Sequence, residues 1–72
     1  MDRFHIVDYV DDLEISTADC TYFYETAVFD EDWDMIWCYR TKTDKEAIEM
    51  HNYVMWHFIT TGELPHEERW ML

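Results

Sequence analysis

The sequence predicts an α+β fold: a small antiparallel sheet of two or three strands, in the order β-β-β-α, with one helix packed on one face. Three observations predict it. Thr43-Asp44-Lys45-Glu46 has the form of a capping box, and the amphipathic run behind it stops at Gly62 and Pro65. Upstream, "TYFYETAVF" and "MIWCYRT" are rich in aromatic and β-branched residues and contain no Gly or Pro. The composition, 49% hydrophobic and 18% aromatic with one Gly and one Pro in seventy-two residues, belongs to a chain that folds, not to an acidic disordered tail.

Taken in order, "RFHIVDYV" (residues 3–10) is the candidate third strand, needed because a lone hairpin is only marginally stable. "DDLEISTADC" mixes acids with small polar residues and reads as a loop, with room for one turn of helix. Strands over 21–29 and 35–41 flank the acidic residues 30–34, so the three segments form a hairpin with "FDEDWDMIW" at its tip. Alternation divides the first strand into Phe23, Ala27 and Phe29 against Tyr22, Tyr24 and Val28, and the second into Met35, Trp37 and Tyr39 against Ile36 and Cys38. Both sides are largely apolar, so periodicity leaves open which one meets the helix. The helix is expected over 44–61, where Ala47, Ile48, His51, Val54, Met55, Phe58 and Ile59 share one stripe at about 100° per residue. Met50, Tyr53, Trp56 and His57 lie beside or opposite it; either an interface or the folded-back tail covers them. Pro65 then opens a short closing turn or helix over 65–71, which completes a single domain over 1–72. One helix leaves the far side of the sheet uncovered, and Tyr22, Tyr24 and Trp37 or Tyr39 would make that side a binding surface.

Charge is the unusual property. Seventeen Asp and Glu stand against five Lys and Arg, a formal net charge of −12. So much like charge on a small body repels nucleic acid and anionic membranes, and its natural complement is a basic partner. No run reaches the roughly 20 apolar residues of a membrane span, and "MDRFHIVDYV" has no leader pattern. Cys20 and Cys38 are therefore expected as reduced thiols in a cytosolic setting.

Chemical signatures are few. Asp30, Asp32 and Asp34 match the first alternating ligands of an EF-hand loop, but Met35 stands where its Gly belongs and Thr41 where its last Glu belongs. His51 and His57 are too far around a helix, roughly 120°, to share a metal. The other zinc-type residues, Cys20, Cys38, His5 and His66, lack ligand spacing. His51, in the middle of the buried stripe, reads as a hydrogen-bonded core histidine. Ser16 has no activating neighbour, Cys38 sits in a strand between aromatics, and one glycine cannot build a phosphate loop. The expectation is a protein that is not an enzyme, with no cofactor and no metal.

At "YETAVFD" and "CYRTKTDKEAIEMH" the chain resembles a loose group of short phage-encoded proteins of uncharacterised function. Their pattern is an E-T-hydrophobic-V-F strand, an acidic turn, an R-(Y/T)-x-T strand end and E-E-A-x-x-G-H on a helix. Glu25, Thr26, Val28, Phe29, Arg40, Thr41, Thr43, Glu46, Ala47 and His51 match it, over roughly Tyr24 to His51; Lys45 and Met50 depart from it. The resemblance implies a ββα core and a phage setting, not an activity. In size and charge the chain is also similar to phage counter-defence proteins, anti-CRISPR and anti-restriction factors among them.

Together these features point to a small acidic inhibitor acting in a host cytoplasm. Its partner would be a host protein with a basic, nucleic-acid-binding surface, most notably a CRISPR effector or another defence nuclease, with neither nucleic acid nor membrane contacted directly. Carboxylates at duplex-like density, about one per 1.7 Å of axis, can occupy a cleft lined with Lys and Arg. The candidate contact residues are Asp8, Asp11, Asp12, Glu14, Asp30, Glu31, Asp32 and Asp34 for charge, with Tyr22, Tyr24, Trp33 and Trp37 for desolvated area. The alternative is a phage structural or accessory module that acts as a homodimer.

Overall fold

The structure, a computed structural model, describes residues 4–66. Four strands and one helix follow in order: β1 His5–Val10, β2 Leu13–Asp19, β3 Tyr24–Phe29, β4 Met35–Thr41 and α1 Asp44–Thr61. The sheet order is β1-β2-β3-β4 with every neighbouring pair antiparallel, a simple meander. The expected closing element over 65–71 falls mostly outside the described residues; Pro65 and His66, which lie within them, are not helical.

The strand count corrects the sequence reading, because residues 13–19 form β2 and not a loop. "LEISTAD" does alternate: Leu13, Ile15 and Thr17 face the helix while Glu14, Ser16 and Ala18 face away. The pattern is hidden because one inward position holds a threonine. Asp11 and Asp12 make the two-residue β1–β2 turn, with Asp11 at φ 53, a left-handed conformation that Asp tolerates. At the other end, β3 starts at Tyr24 rather than residue 21, since Cys20 and Phe23 close a turn through a 2.8 Å backbone bond.

Register settles which side is buried. Ile15, Val28 and Trp37 form one row across the sheet, and Thr17, Thr26 and Tyr39 the next. Val54 of α1 completes a core with Ile15, Val28 and Trp37, flanked by Val10, Leu13, Tyr39, Met50, Met55 and Leu64. A bulge between Val28 and Phe29 sets Met35 opposite Phe29, so Met35 and Trp37 take opposite faces despite their two-residue spacing.

The helix begins as its cap demands. Thr43 Oγ1 accepts from the Glu46 amide while the Glu46 carboxylate accepts from the Thr43 amide, and Gly62 at φ 76 closes the other end by donating to Phe58 O. Its buried face is turned from the expected stripe. Ala47, His51 and Val54 are buried, with Met50 and Phe58 beside them, whereas Ile48 and Ile59 are exposed. The reason is that α1 lies over β2, β3 and β4, which leaves the flank on the β1 side uncovered among the described residues.

Candidate functional site

The meander decides where the acids go. In an antiparallel order the β1–β2 and β3–β4 turns share one end of the sheet, with centres about 10 Å apart at ordinary strand spacing. Asp11 and Asp12 therefore stand beside Asp30, Glu31, Asp32 and Asp34, with Glu14 just below in the row that pairs it with Phe29. α1 runs back up the sheet, so its C-terminal end and Glu63 arrive at the same pole. That end carries the negative side of the helix dipole and has no basic residue in its last turn. Arg40, Lys42 and Lys45 lie at the opposite pole, around the end of β4 and the start of the helix. Asp19, Glu25, Asp44 and Glu46 lie at that end as well, so the two ends differ in how much excess acid they carry, and the excess is larger at the end with the two hairpin turns.

The tip is built by its own first residue. Asp30 Oδ1 accepts from the amides of Asp32 and Asp34 at 2.9 and 3.0 Å, and Asp30 O accepts from Trp33 N. That carboxylate oxygen organises the turn, while Glu31, Asp32 and Asp34 point out from it as exposed side chains. Trp33 is 68% exposed and holds φ 65, an unfavourable conformation for so bulky a residue. Among the described residues, no three His, Cys, Asp or Glu side chains converge as a metal set would.

Below the tip, on the face away from the helix, one row crosses the whole sheet: Tyr9, Glu14, Phe29 and Met35. Tyr9 is exposed, as are Met35 and Ile36. The hydrogen-bonded Glu14 carboxylate raises the Tyr9 phenol above its ordinary value, through the bond first and its charge second. Tyr9, Met35 and Ile36 were not singled out from the sequence; the alternation of β1 was the available signal for Tyr9, and the bulge that exposes the other two has no sequence mark here.

Other expected contact residues are placed elsewhere. Trp37 is 3% exposed, stacks on Tyr39 and donates from Nε1 to Pro65 O at 2.8 Å; it belongs to the core and offers no surface. Tyr22 is exposed in the β2–β3 turn, and Tyr24 opens β3 on the helix side, edge-on to Phe4. Both lie about 17 Å from the tip, five residues of strand away, so they do not form one surface with it. Burial first, then the charges of Asp19 and Asp44, raises the Tyr24 phenol. The uncovered side of the sheet consequently lacks the Tyr24, Trp37 and Tyr39 rings expected there.

Asp8 has an internal role. One of its carboxylate oxygens lies 2.8 Å from His51 Nε2, and His51 Nδ1 lies 2.7 Å from Thr17 Oγ1, itself 2.8 Å from Thr26 Oγ1. Because a carboxylate accepts, the network assigns the ring hydrogen to Nε2, so the Thr17 hydroxyl donates to Nδ1 and accepts from Thr26. Carboxylate, imidazole and hydroxyl in that order form a hydrolase triad elsewhere. Here Thr17 is fully buried and His51 is 1% exposed, so no substrate reaches the hydroxyl, and the chain works as a bolt between helix and sheet.

The residues on which the resemblance rests have similar structural duties. Arg40 Nε donates to Glu25 at 3.0 Å across β3–β4 and its guanidinium covers Phe23; Thr26 joins the His51 network; Thr43 and Glu46 cap the helix; Val28 and Ala47 are buried. Cys38 is buried on the outer side of the sheet, where burial, with help from the Glu25 charge, pushes its thiol up to about 12. No helix of the described residues is long and apolar enough to cross a membrane. Compared with known proteins, the chain matches no family model, no curated protein and no solved structure.

Proposed function

We propose that this protein is a non-enzymatic inhibitor that seats its acid-rich end on a basic, nucleic-acid-binding surface of a host protein. What supports the reading above all is the convergence of both acidic turns, Glu63 and the helix C-terminus at one pole, with Trp33 and Tyr9 exposed among them. Charge of one sign, focused on one end, steers the encounter with a basic cleft, and the exposed rings give it area to desolvate. The phage-type resemblance narrows the partner to a defence nuclease, a CRISPR effector foremost, met in the host cytoplasm.

The test is competition. The protein should displace duplex DNA from such a nuclease, with affinity that falls as salt rises. Replacing Asp30, Asp32 and Asp34 by Asn and Glu31 by Gln keeps an acceptor at position 30 for the turn and removes the charge. That variant should bind at least about tenfold more weakly; unchanged competition removes the hairpin tip as the contact. A second reading, a homodimer joined through the uncovered sheet face, draws on the exposed Val7, Tyr9 and Met35 there. Light scattering that gives a stable dimer, with no response to basic proteins, would favour it.

A further inference from the structure

We propose that the outer-face row Tyr9, Glu14, Phe29 and Met35 is a recognition site for one arginine side chain of the partner protein, with its guanidinium paired to Glu14 and stacked on the flanking rings. The proposal deepens the inhibitor reading and rests on it for the partner. It names the side chain that this end of the sheet selects from a basic surface.

Register sets the order of chemistry across the sheet. Tyr9 pairs with Glu14, Glu14 with Phe29 and Phe29 with Met35, all on the side away from α1. At ordinary strand spacing the Cα positions of Tyr9 and Phe29 stand about 10 Å apart with that of Glu14 midway, so a carboxylate rises between two aromatic residues. Tyr9 is 70% exposed, Met35 is exposed at the end of the row, and Glu14 and Phe29 are partly buried between them. The row thus presents an anion flanked by rings on the side of the sheet that the helix leaves uncovered.

The charge around this row is one-sided. Among the described residues the ion pairs are Arg40 with Glu25 and His51 with Asp8, so no cation neutralises Glu14. Arg40 is the one Arg or Lys in the four strands, and it stands opposite Glu25, four residues of β3 from Phe29 and about 13 Å along the sheet. Asp12 and Asp30, close by in the chain, add to the field at Glu14. Glu14 accepts from the Tyr9 hydroxyl, which orients the carboxylate and uses one of its roughly four lone-pair directions, leaving others for a second donor.

Arginine fits this order better than lysine does. A guanidinium is flat and weakly hydrated, and it can give two parallel N–H groups to one carboxylate while its faces lie on aromatic rings. An ammonium makes a point contact with Glu14 and holds its water more tightly, so it gains less from the rings. Met35 and the neighbouring Ile36, which is also exposed, give the arginine's methylene stem an apolar surface. The acidic turns attract either cation; the rings beside Glu14 distinguish them.

The test compares acetyl-Gly-Arg-Gly-Arg-Gly-amide with its two-lysine counterpart, each titrated at low salt into the isotope-labelled full chain and followed by amide chemical shifts. The arginine peptide should bind about three- to fivefold more tightly, with its largest shifts at Tyr9, Glu14, Phe29 and Met35. Glu14→Gln, and separately Tyr9→Leu, should bring the two peptides to within about 1.5-fold of each other. Neither position belongs to the core, so both variants should keep the amide pattern of α1. The four-residue charge variant of the hairpin tip should weaken both peptides and preserve their ratio. Equal binding of the two peptides by the parent, or an arginine preference that survives both substitutions, would overturn the proposal. So would shifts along the row that grow with protein concentration in the absence of peptide, which would give the face to a second copy. The two failures are separable: an arginine preference without displacement of duplex DNA from the nuclease ends the inhibitor reading and leaves the arginine site standing, whereas displacement equal in parent and Glu14→Gln, with no arginine preference, does the reverse.

Discussion

Asp8 and His51 are 43 positions apart in the chain and 2.8 Å apart in the fold, carboxylate oxygen to Nε2. Asp8 lies on an edge strand and His51 in the middle of the helix, so this bond and the one from His51 to Thr17 clamp α1 across two strands at once. His51→Ala should cost about 2–4 kcal/mol, because it opens a cavity and leaves the Thr17 hydroxyl without its acceptor. Asp8→Asn should cost less, and a double-mutant cycle in urea should return a coupling of roughly 1 kcal/mol between the pair. A fully additive cycle would show that Asp8 only lies near the ring.

The two thiols should separate by reactivity. Cys20 is partly exposed and Cys38 buried, so at pH 8 a thiol reagent should modify Cys20 readily and Cys38 at least about tenfold more slowly, at the rate of opening. In the folded protein Cys38 keeps its proton up to about 12, against an ordinary 9.0. Between those values the unfolded chain binds fewer protons, so stability present below pH 9 is lost as pH rises toward 12. Parent minus Cys38→Ala, compared across that window by chemical denaturation, should show this decline; two parallel curves would contradict it.

Helix ends should respond as local devices. Thr43→Ala removes the acceptor for the Glu46 amide and should cost about 1 kcal/mol. Gly62→Ala meets open space but must hold φ 76, so a loss of about 1 kcal/mol there measures backbone conformation and not a clash. Thermal melts that leave Gly62→Ala unchanged would count against the left-handed cap.

Trp33 should report on function against stability. Asn tolerates φ 65 far better than Trp does, so Trp33→Asn should raise stability by about 1 kcal/mol while weakening the proposed inhibition. If instead stability falls by a comparable amount, the indole packs against the hairpin and is no anchor for a partner.

What was legible in the chain alone was whatever local chemistry writes down. Thr43, Glu46 and Gly62 delimit the helix because capping groups act within a turn of where they sit. The β3–β4 hairpin could be read because Tyr24–Phe29 and Met35–Thr41 are dense in strand formers around an acidic turn. β2 was hidden because Thr17, a polar residue in an inward position, is satisfied only by Thr26 and by His51, which arrives 34 residues later. The same polar bonding explains why His51 could be read as a core residue while Asp8, its partner, could not.

By itself the sequence determined the α+β class, the helix with its caps and the excess of acid, since these follow from residue type and short spacing. Only the tertiary structure decided where that acid stands. A meander sends alternate turns to the same end, which joins Asp11 and Asp12 to the group from Asp30 to Asp34, while a bulge at β4 and the helix over β2 to β4 bury Trp37 and expose Met35. Strand pairing and packing are relations between distant segments, and no property of a segment taken alone contains them.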